Sequence, residues 1–216
     1  MRYSTVLFDL DGTLTNPALG ICSCIRYALE KTGRAVHPNE YYYKYIGPPL
    51  LRSFEVYDNA TPEEARELLA FYRERFSDIG LFENELIPGI PELLRDLKAQ
   101  GVQIAVATGK PTVYSERILE HFGLSQYIDY LSGISLGGEG TEKCELIAQA
   151  LYKLGVKDKS RAVMIGDRSH DAVGAKMTHI DFIGVLYGFG SREELESEGA
   201  VHLAENTEKL RALLFE

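Results

Sequence analysis

Short, continuously apolar runs alternate with stretches of helical periodicity along most of this 216-residue chain. Val6-Leu7-Phe8 is the first run, Val102 to Ala107 the second, Tyr127 to Leu131 a short third, Ala162 to Ile165 the fourth and Phe182 to Leu186 the fifth. A strand with one wet face alternates apolar and polar residues, whereas a run that is apolar throughout suits a strand covered on both faces. The stretches between the runs, Glu92 to Ala99, Val113 to Phe122 and Glu142 to Leu154, read as helices. Each is followed by a glycine, Gly101, Gly123 and Gly155, the residue that most easily adopts the left-handed conformation closing a helix. Strand-helix alternation predicts the α/β class, as a Rossmann-like doubly wound parallel sheet.

One region breaks the alternation. Residues 16–85 hold no convincing strand. Leu19, Cys22, Ile25, Ala28 and Leu29 give a helical stripe. Thr61-Pro62-Glu63-Glu64 reads as a helix start, with Thr61 as N-cap, Pro62 at the first helical position and Glu64 closing a capping box. The helix that follows carries Leu68, Leu69, Phe71, Tyr72 and Phe76. We therefore expect an all-helical insertion, residues 16–85, in an α/β domain made of residues 1–15 and 86–216, with Pro88-Gly89 marking the return.

The formal net charge of −9 speaks against a partner that is a nucleic-acid polymer, which needs a basic footprint. No apolar run approaches the roughly 20 residues that cross a bilayer. Met1 leads straight into a strand without the zones of a signal peptide. The expectation is a cytoplasmic protein, monomer or homodimer, without a membrane partner. Cys22, Cys24 and Cys144 form neither an even disulfide framework nor a zinc spacing and read as thiols of a reduced compartment.

Four strand ends carry chemistry. Asp9-Leu10-Asp11-Gly12-Thr13 follows the first run. Carboxylates at i and i+2 of an extended segment point the same way, and they leave the carboxyl end of a strand, where open α/β sheets place their sites. Like charges that close need a cation or a shared proton. The pair suits a nucleophile beside an acid/base with a divalent cation, although an ordinary Asp-Gly turn competes. The second run ends in Thr108-Gly109-Lys110-Pro111, where a hydroxyl and backbone N–H groups at a helix start would hold an anion or merely cap the helix. Lys143 opens the helix after Thr141-Glu142, against the helix dipole, so it is either partnered by an anion or solvated. Gly137-Gly138-x-Gly140 just upstream is read as a flexible turn. The fourth run ends in Gly166-Asp167-Arg168-Ser169-His170-Asp171; its two carboxylates suit Mg²⁺, which keeps waters and takes one or two carboxylates, or else cap the next helix. His170 has no zinc spacing and reads as a surface or supporting residue. A parallel sheet brings all four ends to one edge, which favours a single site over four coincidences.

Asp9-x-Asp11-x-Thr13, Thr108, Lys143 and Gly166-Asp167-x-x-x-Asp171 resemble, in order and spacing, the four motifs of the haloacid dehalogenase superfamily over nearly the whole chain. The helical insertion after the first motif resembles the cap of its phosphoglycolate phosphatase subgroup. Phe8 to Thr13, Ile46 to Pro49, Ala107 to Pro111 and Gly184 to Gly190 resemble a branch labelled phosphoglycolate phosphatase or 5′-nucleotidase. The resemblance implies an Mg²⁺-dependent phosphatase of a small phosphorylated metabolite. It gives Asp9 as nucleophile that becomes an aspartyl-phosphate, Asp11 as acid/base, and Thr108 and Lys143 as their catalytic support. It implies phosphate binding by Asp11, Gly12, Thr13, Thr108, Gly109 and Lys143, and metal binding by Asp9, Asp167, Asp171 and the backbone carbonyl of Asp11. Arg52, with Tyr41, Tyr42, Tyr43 and Tyr45, is the candidate for substrate contact in the cap.

His179 stands where such relatives carry glycine, which strains a turn or marks a different loop. Asp11 argues against a dehalogenase and for phosphate esters over phosphonates. The aromatic residues of the insertion keep a 5′-nucleotidase in view. A sugar phosphomutase would share every core residue. A phosphate-receiving switch uses similar residues, but the insertion of about 70 residues serves a lid that excludes water and has no purpose in such a module.

Overall fold

A computed structural model describes residues 2–137 and 141–216. Of the expected turn at Gly137-Gly138-x-Gly140, residues Gly138, Glu139 and Gly140 lie outside the described residues. The chain opens with strand β1 (Thr5–Phe8) and the two-residue β2 (Thr15–Asn16). Helices α1 (Ala18–Lys31), α2 (Leu50–Tyr57) and α3 (Pro62–Arg75) follow, with a 3-10 helix over Asn39–Tyr45 and a π-helical turn over Phe76–Gly80. From β3 (Glu85–Leu86) onward helices and strands alternate: α4 (Ile90–Ala99), β4 (Gln103–Pro111), α5 (Thr112–His121), β5 (Tyr130–Ile134), α6 (Lys143–Lys153), β6 (Ala162–Gly166), α7 (Ser169–Thr178), β7 (Asp181–Val185), α8 (Arg192–Ser197), β8 (His202–Ala204) and α9 (Thr207–Phe215). Two compact units result, one of Met1–Asn16 with Leu86–Glu216, the other of Pro17–Glu85.

The first unit is built on a six-stranded sheet of order β5-β4-β1-β6-β7-β8, and its strand pairs are parallel. The order reverses at β1: from there the chain builds outward through β4 and β5, then returns to add β6, β7 and β8. That reversal is where doubly wound sheets open a crevice at their strand ends. Phe8 lies opposite both Val106 and Ile165, so β1 and β6 finish within a residue of each other while β4 runs on beyond them. All residues of β1 and β6 are buried, as their unbroken apolar runs require.

In the helical unit, the Thr61 hydroxyl accepts from the Glu64 amide (3.3 Å) and the Glu64 carboxylate accepts from the Thr61 amide (2.8 Å), with Pro62 opening α3. The buried face of α1 differs from the expected stripe. Leu19 is 56% exposed, while Gly20 and Ile21 are turned inward. Gly20 sets this rotation: its amide donates to the Glu83 carbonyl (2.9 Å), and a side chain there would collide with the Gly80 backbone. Cys22 and Cys24 are buried and Cys144 partly so, all as free thiols. Burial lifts both the Cys22 and the Cys24 thiol to about 11, which keeps them out of thiolate chemistry at neutral pH.

Three strand expectations change. β5 starts later than the third apolar run, because Ser125–Tyr127 folds as a 3-10 turn. β8 is a three-residue edge strand, too short to show a period. β4 does not stop at Ala107 but runs to Pro111, pairing Pro111 with Ile134 of β5 after a register shift. Thr108 and Gly109 therefore lie in an extended segment rather than at a helix start, and α5 begins at Thr112.

His179 adopts the left-handed conformation (φ 59°, ψ 44°) just after α7. A side chain there costs about 1 kcal/mol relative to glycine. His179→Gly is expected to stabilise the protein by about that amount, read as a raised urea or thermal midpoint; an unchanged or lowered midpoint would show that the imidazole repays its strain.

Candidate active site

β1, β4 and β6 deliver their terminal residues to one edge. Asp9 follows β1, Thr108 lies near the end of β4, Asp167 follows β6, Asp171 sits in the first turn of α7 and Lys143 is the first residue of α6. Asp9, Asp167 and Asp171 are buried, and each offers a carboxylate oxygen lying within 4.8 Å of the others. The Lys143 Nζ stands 2.8 Å from Asp9 Oδ1, 2.8 Å from Asp171 Oδ1 and 3.1 Å from the Ala107 carbonyl. The position that opposes the dipole of α6 is thus held by two carboxylates.

A second pair lies beside the first. The Lys110 ammonium, reaching in from the extended end of β4, donates to Asp11 Oδ2. Lys110 is missing from the residues expected from sequence. The sequence signal lay inside the Thr108 motif, but its side chain turns inward only because β4 continues. Counted together, Asp9, Asp11, Asp167 and Asp171 face Lys110 and Lys143, a formal excess of two negative charges. Arg168 offsets it only in part: its guanidinium donates to Glu194 (3.0 Å), while its charge still favours the ionised form of Asp167.

Burial, with this excess adding to it, shows in the titration of the groups. Burial, with Asp171 and Asp9 adding to it, pushes the Asp167 carboxyl well above its usual range. Burial pushes Asp171 up to about 6, with Lys143 opposing. Asp11 is raised by burial against the pull of Lys110. Burial alone would lower Lys143, but Asp171 and Asp9 outweigh it and hold the ammonium charged above its usual range. A buried carboxylate cluster with this excess fits a divalent cation bound through oxygen.

Asp167 is the most enclosed of the four. Its Oδ2 accepts from the Phe189 amide (2.8 Å) and its Oδ1 from the Thr13 hydroxyl (3.4 Å). A side chain on Gly12, Gly188 or Gly190 would collide with Asp167. The Tyr187 hydroxyl donates to the Thr13 carbonyl (3.2 Å), tying the loop after β7 to the turn after β1. The sequence Tyr187-Gly188-Phe189-Gly190 thus forms a wall around one carboxylate.

The other expected residues fall as follows. The Gly12 amide donates to the Thr15 carbonyl (2.7 Å), so Gly12 contributes a turn (φ 84°) and room for Asp167, not a phosphate N–H. Thr13 is fully buried with its hydroxyl on Asp167, which makes it a support for that carboxylate. Thr108 is buried, and its hydroxyl oxygen accepts from the Lys110 amide (3.2 Å), leaving its proton for an anion. Gly109 is exposed. The Asp11 carboxylate is engaged with Lys110 rather than joining the acidic trio. His170 is exposed beside the site. In the helical unit Arg52 is exposed on α2, Tyr42 and Tyr45 are core residues, and Tyr43 is 40% exposed.

A parallel sheet with a strand-end aspartate pair, a lysine and a second aspartate pair at one edge suits phosphoryl transfer, which needs positioning and charge stabilisation. Residues 6–185 match the model of the haloacid dehalogenase-like hydrolase family, and the chain belongs to that family. It is 40% identical over 214 residues to a 5′-nucleotidase from Pseudomonas aeruginosa, covering 99% of this chain and 96% of that protein. It is 38% identical over 211 residues to the tyrosine-protein kinase PtkA from Mycobacterium tuberculosis, covering 97% of this chain and 72% of that protein. A crystal structure of a predicted phosphatase from Clostridium acetobutylicum superposes with a TM-score of 0.94 at 42% identity, covering 100% of this chain and 99% of that one. Relatives named 5′-nucleotidase and phosphoglycolate phosphatase both occur. The chain is accordingly a phosphatase acting on phosphoric monoesters, which sets aside the phosphate-receiving switch.

Proposed function

We propose that this phosphatase requires Mg²⁺, carries the phosphoryl group on Asp9 and takes a small metabolite ester as substrate, phosphoglycolate first and nucleoside 5′-monophosphates as the alternative. The observation that carries the reading is the placement of Asp9: one oxygen is fixed 2.8 Å from Lys143 within a buried acidic trio. An aspartate so fixed can turn its other oxygen toward phosphorus without losing its charge partner. Asp11 donates a proton to the ester oxygen as the phosphorus–oxygen bond breaks. It then takes a proton from the water that frees Asp9. The Thr108 hydroxyl and the Gly109 amide hold phosphoryl oxygens. Lys143 keeps its charge throughout and compensates Asp9 in each state. Asp9, Asp167 and Asp171, with the backbone carbonyl of Asp11, would hold Mg²⁺, which supplies shielding for the charge on the phosphoryl oxygens. Arg52 is the residue offered for substrate contact in the helical unit.

Phosphate release from phosphoglycolate, nucleoside monophosphates, sugar phosphates and pyridoxal phosphate tests the proposal, each with Mg²⁺ and with excess chelator. Mg²⁺-dependent release, lost by about 100-fold or more on chelation, is the expected outcome. The preferred ester then separates the two substrate readings. Undiminished release in chelator would overturn the metal requirement, and interconversion of sugar phosphates without release would move the protein to the mutases.

A further inference from the structure

Lys110 has no part in the steps above, yet its pairing with Asp11 is buried and specific. Lys110 is 8% exposed. Its place depends on the continuation of β4 past Ala107, with the register shift that brings Pro111 opposite Ile134. Its ammonium engages one oxygen of Asp11, Oδ2. The other, Oδ1, is buried with no hydrogen-bond partner among the described residues. A carboxylate free of partners can rotate about its bond to the chain. One with an oxygen clamped by an ammonium and the other enclosed is held in a single orientation.

We infer that Lys110 is a positioning residue that fixes the Asp11 carboxylate in one orientation for its acid/base work in both half-reactions. The inference rests on the reading of Asp11 as acid/base. In the first half-reaction the phosphorus–Asp9 bond forms, the phosphorus–ester oxygen bond breaks, and the Asp11 carboxyl proton passes to the leaving oxygen. In the second, water bonds to phosphorus, its proton passes to the Asp11 carboxylate, and Asp9 leaves as carboxylate, which restores the starting state. A residue acting this way controls how well the leaving group is protonated, and little else.

That property separates it from a merely structural ion pair. An alkyl phosphate has a basic leaving oxygen that needs the proton, whereas p-nitrophenyl phosphate expels a stable anion that does not. Lys110→Met, Lys110→Arg and Asp11→Asn are compared on the preferred alkyl ester and on p-nitrophenyl phosphate. Lys110→Met is expected to lower kcat on the alkyl ester by about 100-fold and on the aryl ester by less than about 5-fold, with KM nearly unchanged. Lys110→Arg is expected to restore part of the alkyl loss. If Lys110→Met does not fold, Lys110→Arg carries the test: a loss confined to the alkyl ester supports the inference. Equal losses on both esters, or a change in KM alone, overturn it. Asp11→Asn distinguishes the two levels. If it selects against the alkyl ester while the Lys110 variants do not, the positioning role fails and Asp11 stands. If Asp11→Asn itself shows no selectivity, the acid/base reading fails first.

Discussion

Replacing Asp9 with asparagine is expected to lower phosphate release by about 10⁴-fold or more, because the attacking oxygen is lost and the remaining groups position without reacting. The fold is expected to survive the change. Asparagine has the shape of aspartate, and it removes one charge from a cluster in which four carboxylates face two ammoniums. Lys143 keeps Asp171 at 2.8 Å, so no buried cation is orphaned. Activity assays beside thermal melts check both halves. A large fall in melting temperature would mean that the lost activity reports on folding, and residual turnover within about tenfold of the parent would remove Asp9 from the nucleophile's role.

Lys143→Met is expected to fail in the opposite way, through stability as well as catalysis. Methionine keeps an apolar stem beside Gly174, against which the Lys143 side chain closely packs, but no ammonium. The formal excess at the site then rises from two negative charges to three, with Asp9 and Asp171 both left unpaired. Removing one partner from a buried ion pair costs on the order of 3–5 kcal/mol. Urea unfolding without Mg²⁺ is expected to show a loss of that order, and added Mg²⁺ to recover part of it, since a cation bound by the carboxylates stabilises the folded state by mass action. Turnover is expected to drop by about 10³-fold, the scale of losing a preorganised charge at a phosphoryl site. A variant as stable as the parent in chelator would contradict the charge accounting.

Much of this site was legible in the sequence because its residues occupy strand ends that the apolar runs locate. Val6-Leu7-Phe8 and Ala162 to Ile165 mark β1 and β6, and Asp9 and Asp167 follow them directly. Lys143 could be read as anomalous from its helix position alone, and its two carboxylate partners explain the anomaly. His179 stood out because it stands where members of the resembled family carry glycine, and of the two meanings offered, a strained turn or a different loop, its φ of 59° fits the strained turn. The Thr61–Glu64 capping box is a local signal and formed as read.

What escaped the sequence depends on contacts between distant segments. The Pro111–Ile134 pairing extends β4, and no pattern within residues 102–111 announces it; Lys110 is buried against Asp11 as a consequence. The wall of Gly188 and Gly190 around Asp167 requires the loop after β7 to meet the turn after β1. Gly12 was legible as a turn former but not as the space for a carboxylate about 150 residues away in sequence. Leu19 was misplaced because Gly20, which has no side chain to register in an apolar stripe, is the residue that turns α1 inward.

The central claim is that the phosphoryl group passes through Asp9. An aspartyl-phosphate trapped by rapid acid quench and reduced with borohydride leaves homoserine at the phosphorylated position, which peptide mass mapping locates. Homoserine is expected at position 9 during turnover, and none in Asp9→Asn or without substrate. Homoserine at position 11, 167 or 171, or none anywhere while phosphate is being released, would contradict it.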